Sequence, residues 1–271
     1  MQSELDQRED GVAIEIGGMP ILLRSGDASF RQLLHSRYAG FVNAHATAQF
    51  EFDIELSDPT SEACADDDVQ VKMRGGEWLL ERGDFHARWN PEAGTGRISQ
   101  SSNPYAIDSV LRIVHTLLLA KQGGFLLHAA SAIKNGRSFL FSGVSGAGKT
   151  TISKLAPEDV NLLTDEISYV KRDGDEYIAC GTPFFGELAR TGENKSAAVS
   201  ALYFLEKGPR NEISEIDSAE AVRRLLRNIL FFAEDAEFVR LVFQSACAFV
   251  DHTPVRKLTF VPDQRVWDLI G

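Results

Sequence analysis

Residues 141–151 read FSGVSGAGKTT. Within this stretch, Gly143-Val-Ser-Gly-Ala-Gly148-Lys149-Thr150 fits the pattern G-x-x-x-x-G-K-[ST] at every position. An apolar run, RSFLFS, precedes it and a short helical segment follows, which is the setting the pattern needs. Glycines let the backbone curl until successive N–H groups converge on one phosphate. The start of the following helix adds its partial positive charge. Lys149 can reach the β- and γ-phosphates, and the Thr150 hydroxyl can ligate Mg²⁺. The sequence therefore predicts that Gly143, Ser145, Gly146, Ala147, Gly148, Lys149, Thr150 and Thr151 bind a nucleotide with Mg²⁺.

Downstream, the pair Asp165-Glu166 follows Lys149 by 16 residues, at the end of NLLT. A short helix and a return to an adjacent strand use about that length, which would set both acids beside the loop. One carboxylate could hold Mg²⁺ and the other accept a proton from an incoming hydroxyl. The plainer alternative is a solvated turn after a strand. Upstream, His128 lies in FLLHAAS, one strand before the loop. The KNG turn at 134–136 pairs that strand with RSFLFSG as a hairpin, so His128 can approach the acids or serve as a core histidine.

Two further stretches carry alternatives. CGTPFFGELAR, residues 180–190, is kept irregular by Gly181, Pro183 and Gly186. It reads as a substrate platform or as a loop pinned to the core by Phe184 and Phe185. RRLLRNI, residues 223–229, is a basic helical face, solvated or placed to meet an acidic substrate through Arg223 or Arg227.

The chain has 271 residues. Residues 12–23 read as a hairpin turning at Gly17-Gly18, and 30–38 as a short helix. QFEFDIEL alternates as a strand, PTSEACADDD (59–68) reads as an acidic surface loop, and residues 69–100 give four short strands. At residue 102 the period changes. Pro104 opens a helix after Ser102 or Asn103, with Ile107, Val110, Leu111, Val114, Leu117 and Leu118 on one apolar stripe, and Gly123-Gly124 closes it. Further helices are expected over 217–232 and 235–251. The fold class that follows is α/β. A β-rich α+β accessory or substrate-selecting domain covers 1–101, and a phosphate-loop catalytic domain covers 102–271.

Charge and composition narrow the partners. Net charge is −11, and residues 1–100 carry 18 acidic against 9 basic side chains. An acidic chain repels nucleic acid and anionic membrane, so neither is an expected partner. Cys64, Cys180 and Cys247 are odd in number and widely spaced, which speaks for a reducing compartment without a disulfide framework. No apolar signal core opens the chain, and the most apolar stretch is broken by Arg112, His115, Lys121 and two glycines. The expectation is a cytoplasmic protein.

His128, the Gly143–Thr150 loop and Asp165-Glu166, in that order, resemble the catalytic domain of the HPr kinase/phosphorylase family, related in fold to PEP carboxykinase. The likeness covers about residues 123–270 and is nearer still to small HPr-kinase-like proteins of peptide-modification gene clusters. The resemblance implies ATP- and Mg²⁺-dependent transfer of the γ-phosphate to a serine hydroxyl of a protein or peptide, and a tendency towards homo-oligomers. Asp165 would be the general base, with His128 near it. Glu166, a metal ligand by the same likeness, stands where that family usually has a second Asp. GELARTGE (186–193) echoes a family segment that serves the metal and substrate site, which implies roles for Glu187 at the metal and Arg190 at the substrate. A small-molecule acceptor such as free serine, or an ATP-binding regulator without transferase activity, are the alternatives.

Overall fold

The computed structural model describes residues 11–57, 68–184, 186, 188 and 192–271. The acidic stretch at 59–67, together with Phe185, Glu187 and Arg190, lies outside them. The protein is mixed α/β with two sheets, and it divides into two compact units. The first holds residues up to Val114 together with Phe232–Ala236, and the second holds His115–Phe231 and Glu237–Gly271. The division falls inside a helix rather than at the change of period near residue 102.

The first unit is built on seven strands: β1 (Gly11–Ile16), β2 (Met19–Ser25), β3 (Phe50–Leu56), β4 (Gln70–Arg74), β5 (Glu77–Arg82), β6 (Phe85–Asn90) and β7 (Thr95–Gln100). Their order is β1-β2-β3-β7-β6-β5-β4, with β3 parallel to both neighbours and every other pair antiparallel. Alternation along the strands buries Phe52, Trp78, Leu80, Phe85 and Trp89. Helix α1 (Ala28–Arg37) starts where the Asp27 carboxylate accepts the Phe30 N–H at 2.7 Å. Helix α2 (Pro104–Lys121) starts where the Asn103 side chain accepts from the Tyr105 N–H. The expected stripe on α2 is buried except for Leu118, which is half-buried, and Ala106, Ile113, Leu119 and Ala120 are buried as well. One turn into α2, Asp108 is buried. It accepts from Tyr38 Oη at 2.6 Å and from the Arg37 guanidinium in a fork. Burial would lower the Arg37 pKa, but the hydrogen bonds and charge of Asp108 raise it; burial and the same carboxylate push Tyr38 well above its ordinary value.

The second unit is centred on β8 (Phe125–Lys134), whose apolar run is buried on both faces, as a central strand requires. It turns through Asn135 and Gly136, both at positive φ, into β9 (Arg137–Ser142). Helix α3 (Lys149–Lys154) follows, then β10 (Asn161–Thr164), β11 (Ile167–Asp173), β12 (Glu176–Cys180) and β13 (Ser196–Lys207). Pairings run β8 to β11, β11 to β12, β12 to β13, β13 to β9 and β9 back to β8, so they close on themselves. Strand β15 (Val255–Phe260) adds to β13 in parallel, and β14 (Glu212–Glu215) adds to β15. Strand β14 has no counterpart among the expected elements.

Helices α4 (Ser218–Leu226) and α5 (Ala236–His252) complete the unit. The expected helix over 217–232 stops at Leu226 because the chain after it is taken up by β8. Asn228 O accepts the His128 N–H at 2.7 Å, and the Leu230 N–H donates to Leu126 O at 2.9 Å. The end of the chain is tied down in a similar way. Trp267 packs edge-on against Phe141 and donates its indole N–H to Ile152 O, while Lys134 Nζ donates to the carbonyls of Trp267 and Ile270.

His115, on α2, is fully buried, and among the described residues neither ring nitrogen has a hydrogen-bond partner. Its ring meets Tyr169 edge-on at 5.5 Å. Burial lowers its pKa from the ordinary 6.5 to about 4. The unfolded chain therefore binds the proton first as pH falls. The associated stability is whole above pH 6.5 and is lost on the way down to pH 4. Wild type should lose about 2 kcal/mol more than His115→Phe between pH 7.5 and pH 5. Urea unfolding of both at the two pH values measures it, and parallel losses would refute it.

Candidate functional site

The phosphate loop joins the end of β9 to the start of α3. Gly148 sits at the helix N-cap with φ 116°, and a Cβ there would meet the Phe260 ring at 2.7 Å. Both the backbone conformation and the packing therefore demand glycine. Lys149 is buried, and its Nζ donates to Gly143 O at 2.9 Å and to Val144 O at 3.4 Å, so the ammonium folds back over the loop it belongs to.

The acidic pair sits in an interruption of strand pairing. β10 and β11 lie end to end along the same edge of β8, and the register shifts beside Thr164. The return after α3 thus crosses β8, which lies between β9 and β10, rather than stopping at the strand next to β9. Thr164 builds the corner. Its hydroxyl accepts from the N–H groups of Glu166 and Ile167 and donates to Phe184 O. Asp165 is 3% exposed, and its carboxylate accepts two backbone N–H groups, from Gly186 at 3.1 Å and Leu188 at 3.1 Å. Glu166 is half-buried, and Gly186 passes so near it that a Cβ at 186 would lie 2.6 Å from the Glu166 carboxylate. Phe184 is fully buried, which anchors the start of this loop to the core.

His128 is brought to the same place by its backbone. Its carbonyl accepts from Ser142 Oγ, the last residue before the phosphate loop, at 2.9 Å. Its N–H is held by Asn228, and it stands opposite Ile167 in the register with β11. Along the apolar half of β8 only His128 is not buried.

The result is a cavity of about 330 Å³ lined by His128, Ser145, Gly146 and Gly148 to Thr151 of the loop, Asp165, Glu166, Gly186 and Lys207. Three separate stretches of sequence meet there: the phosphate loop, the acidic pair and the histidine. Glu187 and Arg190 fall outside the described residues. Thr164 and Lys207 were not singled out from sequence, and Gly186 was read only as a breaker of regular structure. A Thr directly before two acids is a turn signal that could have marked the first; nothing local marks Lys207.

Among the described residues no group of three or more His, Cys, Asp or Glu side chains could form a metal cage. Mg²⁺ in nucleotide sites is held by one or two protein oxygens, phosphates and water. Thr150 and Glu166, both at this cavity, fit that smaller requirement. No helix among the described residues is long and apolar enough to cross a membrane. Of the cysteines described, Cys180 and Cys247 are free thiols, and burial pushes Cys180 up to about 11.

No curated protein matches the chain. Among solved structures, the HPr(Ser) kinase/phosphatase from Coxiella burnetii aligns over 50% of this chain and 84% of its own, at 11% identity and a TM-score of 0.29. The family model described as SynChlorMet cassette protein ScmC matches residues 99–271, more than half of the sequence, and the chain belongs to that family.

Proposed function

We propose that the protein is a kinase that moves the γ-phosphate of ATP to a serine-type hydroxyl. The observation that carries this reading is the shared cavity, in which six residues of the glycine-rich loop and the start of α3 line the same space as two carboxylates and a histidine. A phosphate loop alone serves binding or hydrolysis equally well. A buried carboxylate across from it supplies what transfer to a hydroxyl adds, a proton acceptor.

Loop N–H groups and Lys149 hold the phosphates, and Thr150 with Glu166 would hold Mg²⁺, which neutralises charge on the phosphates. The acceptor oxygen forms a new bond to the γ-phosphorus. The bond from that phosphorus to the bridging oxygen breaks, and ADP carries the electrons away. Asp165 takes the hydroxyl proton. Its carboxylate has about four lone-pair sites, and the two N–H groups from 186 and 188 leave capacity for that proton. His128, beside the same cavity, orients the acceptor end of the site.

The test is transfer of label from γ-labelled ATP, with Mg²⁺ and an extract of the source cells. Wild type should label an acceptor. Lys149→Ala should raise the ATP Kd ~10-fold or more and cut transfer by ~10²-fold or more. Bound ATP without any labelled acceptor would overturn the kinase reading.

A further inference from the structure

Beside the phosphate-loop cavity lies a larger one, about 700 Å³, lined by Gly143 to Ser145, His128, Phe204 to Glu206, and α4 with its C-terminal extension. The two cavities share His128 and Ser145. The larger one opens where the parallel strands β9 and β13 end, the usual position for ligands in such sheets. Helix α4 is aimed at it by Asn228 and Leu230, which pair with β8 at His128 and Leu126.

The charges of this cavity are unequal. Arg224 binds both available carboxylates, Glu206 at 2.9 Å and Glu220 through two of its nitrogens. Arg223 and Arg227, one turn apart, are exposed on the same wall. Among the described residues neither meets a carboxylate; Arg223 Nε reaches only Ala219 O, at 3.3 Å. In a protein of net charge −11, two guanidinium groups that meet no carboxylate among the described residues make one concave wall locally positive.

We propose that this cavity holds a carboxylate carried by the phosphate acceptor, read by Arg223 and Arg227. The proposal rests on the kinase reading and adds the acceptor's chemistry: a hydroxyl with a carboxylate close by. Guanidinium forks match carboxylates in geometry as well as charge. The volume is on the scale that holds a drug-sized ligand or a few peptide residues. A serine flanked by acidic residues in a peptide fits that space better than a single free amino acid, which presents the same chemistry.

Three probes separate the sources: a short serine peptide with glutamates on both sides of the serine, the same peptide with glutamines there, and free L-serine. Each is assayed for label transfer from ATP and, by fluorescence titration, for binding in the presence of a non-hydrolysable ATP analogue. The glutamate peptide should be preferred by KM, and Arg223→Gln or Arg227→Gln should raise that KM ~10-fold or more while the glutamine peptide responds little. Arg210→Gln, which removes an exposed cation paired with Glu212 outside the cavity, controls for lost charge. Preference for free serine would keep the carboxylate site and assign it a small acceptor. Equal use of the glutamate and glutamine peptides would overturn the proposal and leave the kinase standing. If no probe is labelled although ATP binds, the titration decides. Charge-dependent peptide binding lost in the arginine variants supports the site, and charge-independent binding or none refutes it.

Discussion

Asp165→Asn should lower phosphoryl transfer by ~10²–10⁴-fold while ATP still binds, the range expected for losing a general base. An asparagine at 165 keeps the size of the side chain but has little basicity. The surroundings make a second effect readable. Both Asp165 oxygens accept backbone N–H groups, from Gly186 and from Leu188. An amide has one acceptor oxygen and would turn its NH₂ towards the other donor. The Gly186 and Leu188 N–H groups must therefore shift locally, which transfer rates alone do not separate from loss of the base. Acceptor acidity does. A more acidic hydroxyl needs less help from a base, so it should recover part of the lost rate in Asp165→Asn if Asp165 is the base. If the residue only positions those N–H groups, both acceptors should lose rate equally. Titration of ATP binding checks that the nucleotide site is intact. Transfer by Asp165→Asn at wild-type rates would remove Asp165 from the mechanism.

Asp108→Ala should destabilise the protein by about 3–5 kcal/mol, the usual cost of taking one partner from a buried ion pair. The loss goes beyond one interaction, because the Arg37 guanidinium and the Tyr38 hydroxyl both end on this carboxylate. Arg37 and Asp108 side chains keep only 11% and 4% of their exposure, so water cannot take over the vacated positions. The Arg37 charge would lose its carboxylate while still largely shielded from water, with the Tyr105 ring 4.9 Å away. Replacing both partners by apolar residues, Arg37→Met with Asp108→Leu, should recover most of the loss. Urea unfolding of the two variants and wild type measures both effects. A single-variant cost under about 1 kcal/mol, the level of exposed pairs, would show that the pair is solvated.

Much of the local structure was legible. The Gly-Gly turn, the alternating strands of the first hundred residues and the Pro104 helix start each rest on a short-range rule. The Asn-Gly turn of the β8–β9 hairpin and the glycine-rich turn from β9 into α3 do so too. All of them depend on neighbours within a few residues. The helix expected to run to residue 232 fails for the opposite reason. Its pattern is helical past Leu226, but β8, some hundred residues earlier, gives its His128 N–H to Asn228 O and accepts the Leu230 N–H at Leu126 O. Pairing with those overrides the local preference, because a buried backbone donor or acceptor cannot be left unmet.

Residue order and type alone gave a G-x-x-x-x-G-K-T loop between a strand and a helix, and offered two acids and a histidine as its candidate neighbours beside plainer readings of each. Spacing and residue type carry that information, since they follow from backbone geometry and side-chain chemistry. How the acids are presented depends on long-range strand pairing. The return strand crosses β8, and the resulting interruption is stabilised by the Thr164 hydroxyl and by N–H groups more than twenty residues away. Such pairing likewise decided that the basic face of α4 lines a cavity shared with His128. A helical wheel says which arginines share a face. Which surface that face meets depends on strand pairing at its far end, a long-range contact that no local pattern encodes.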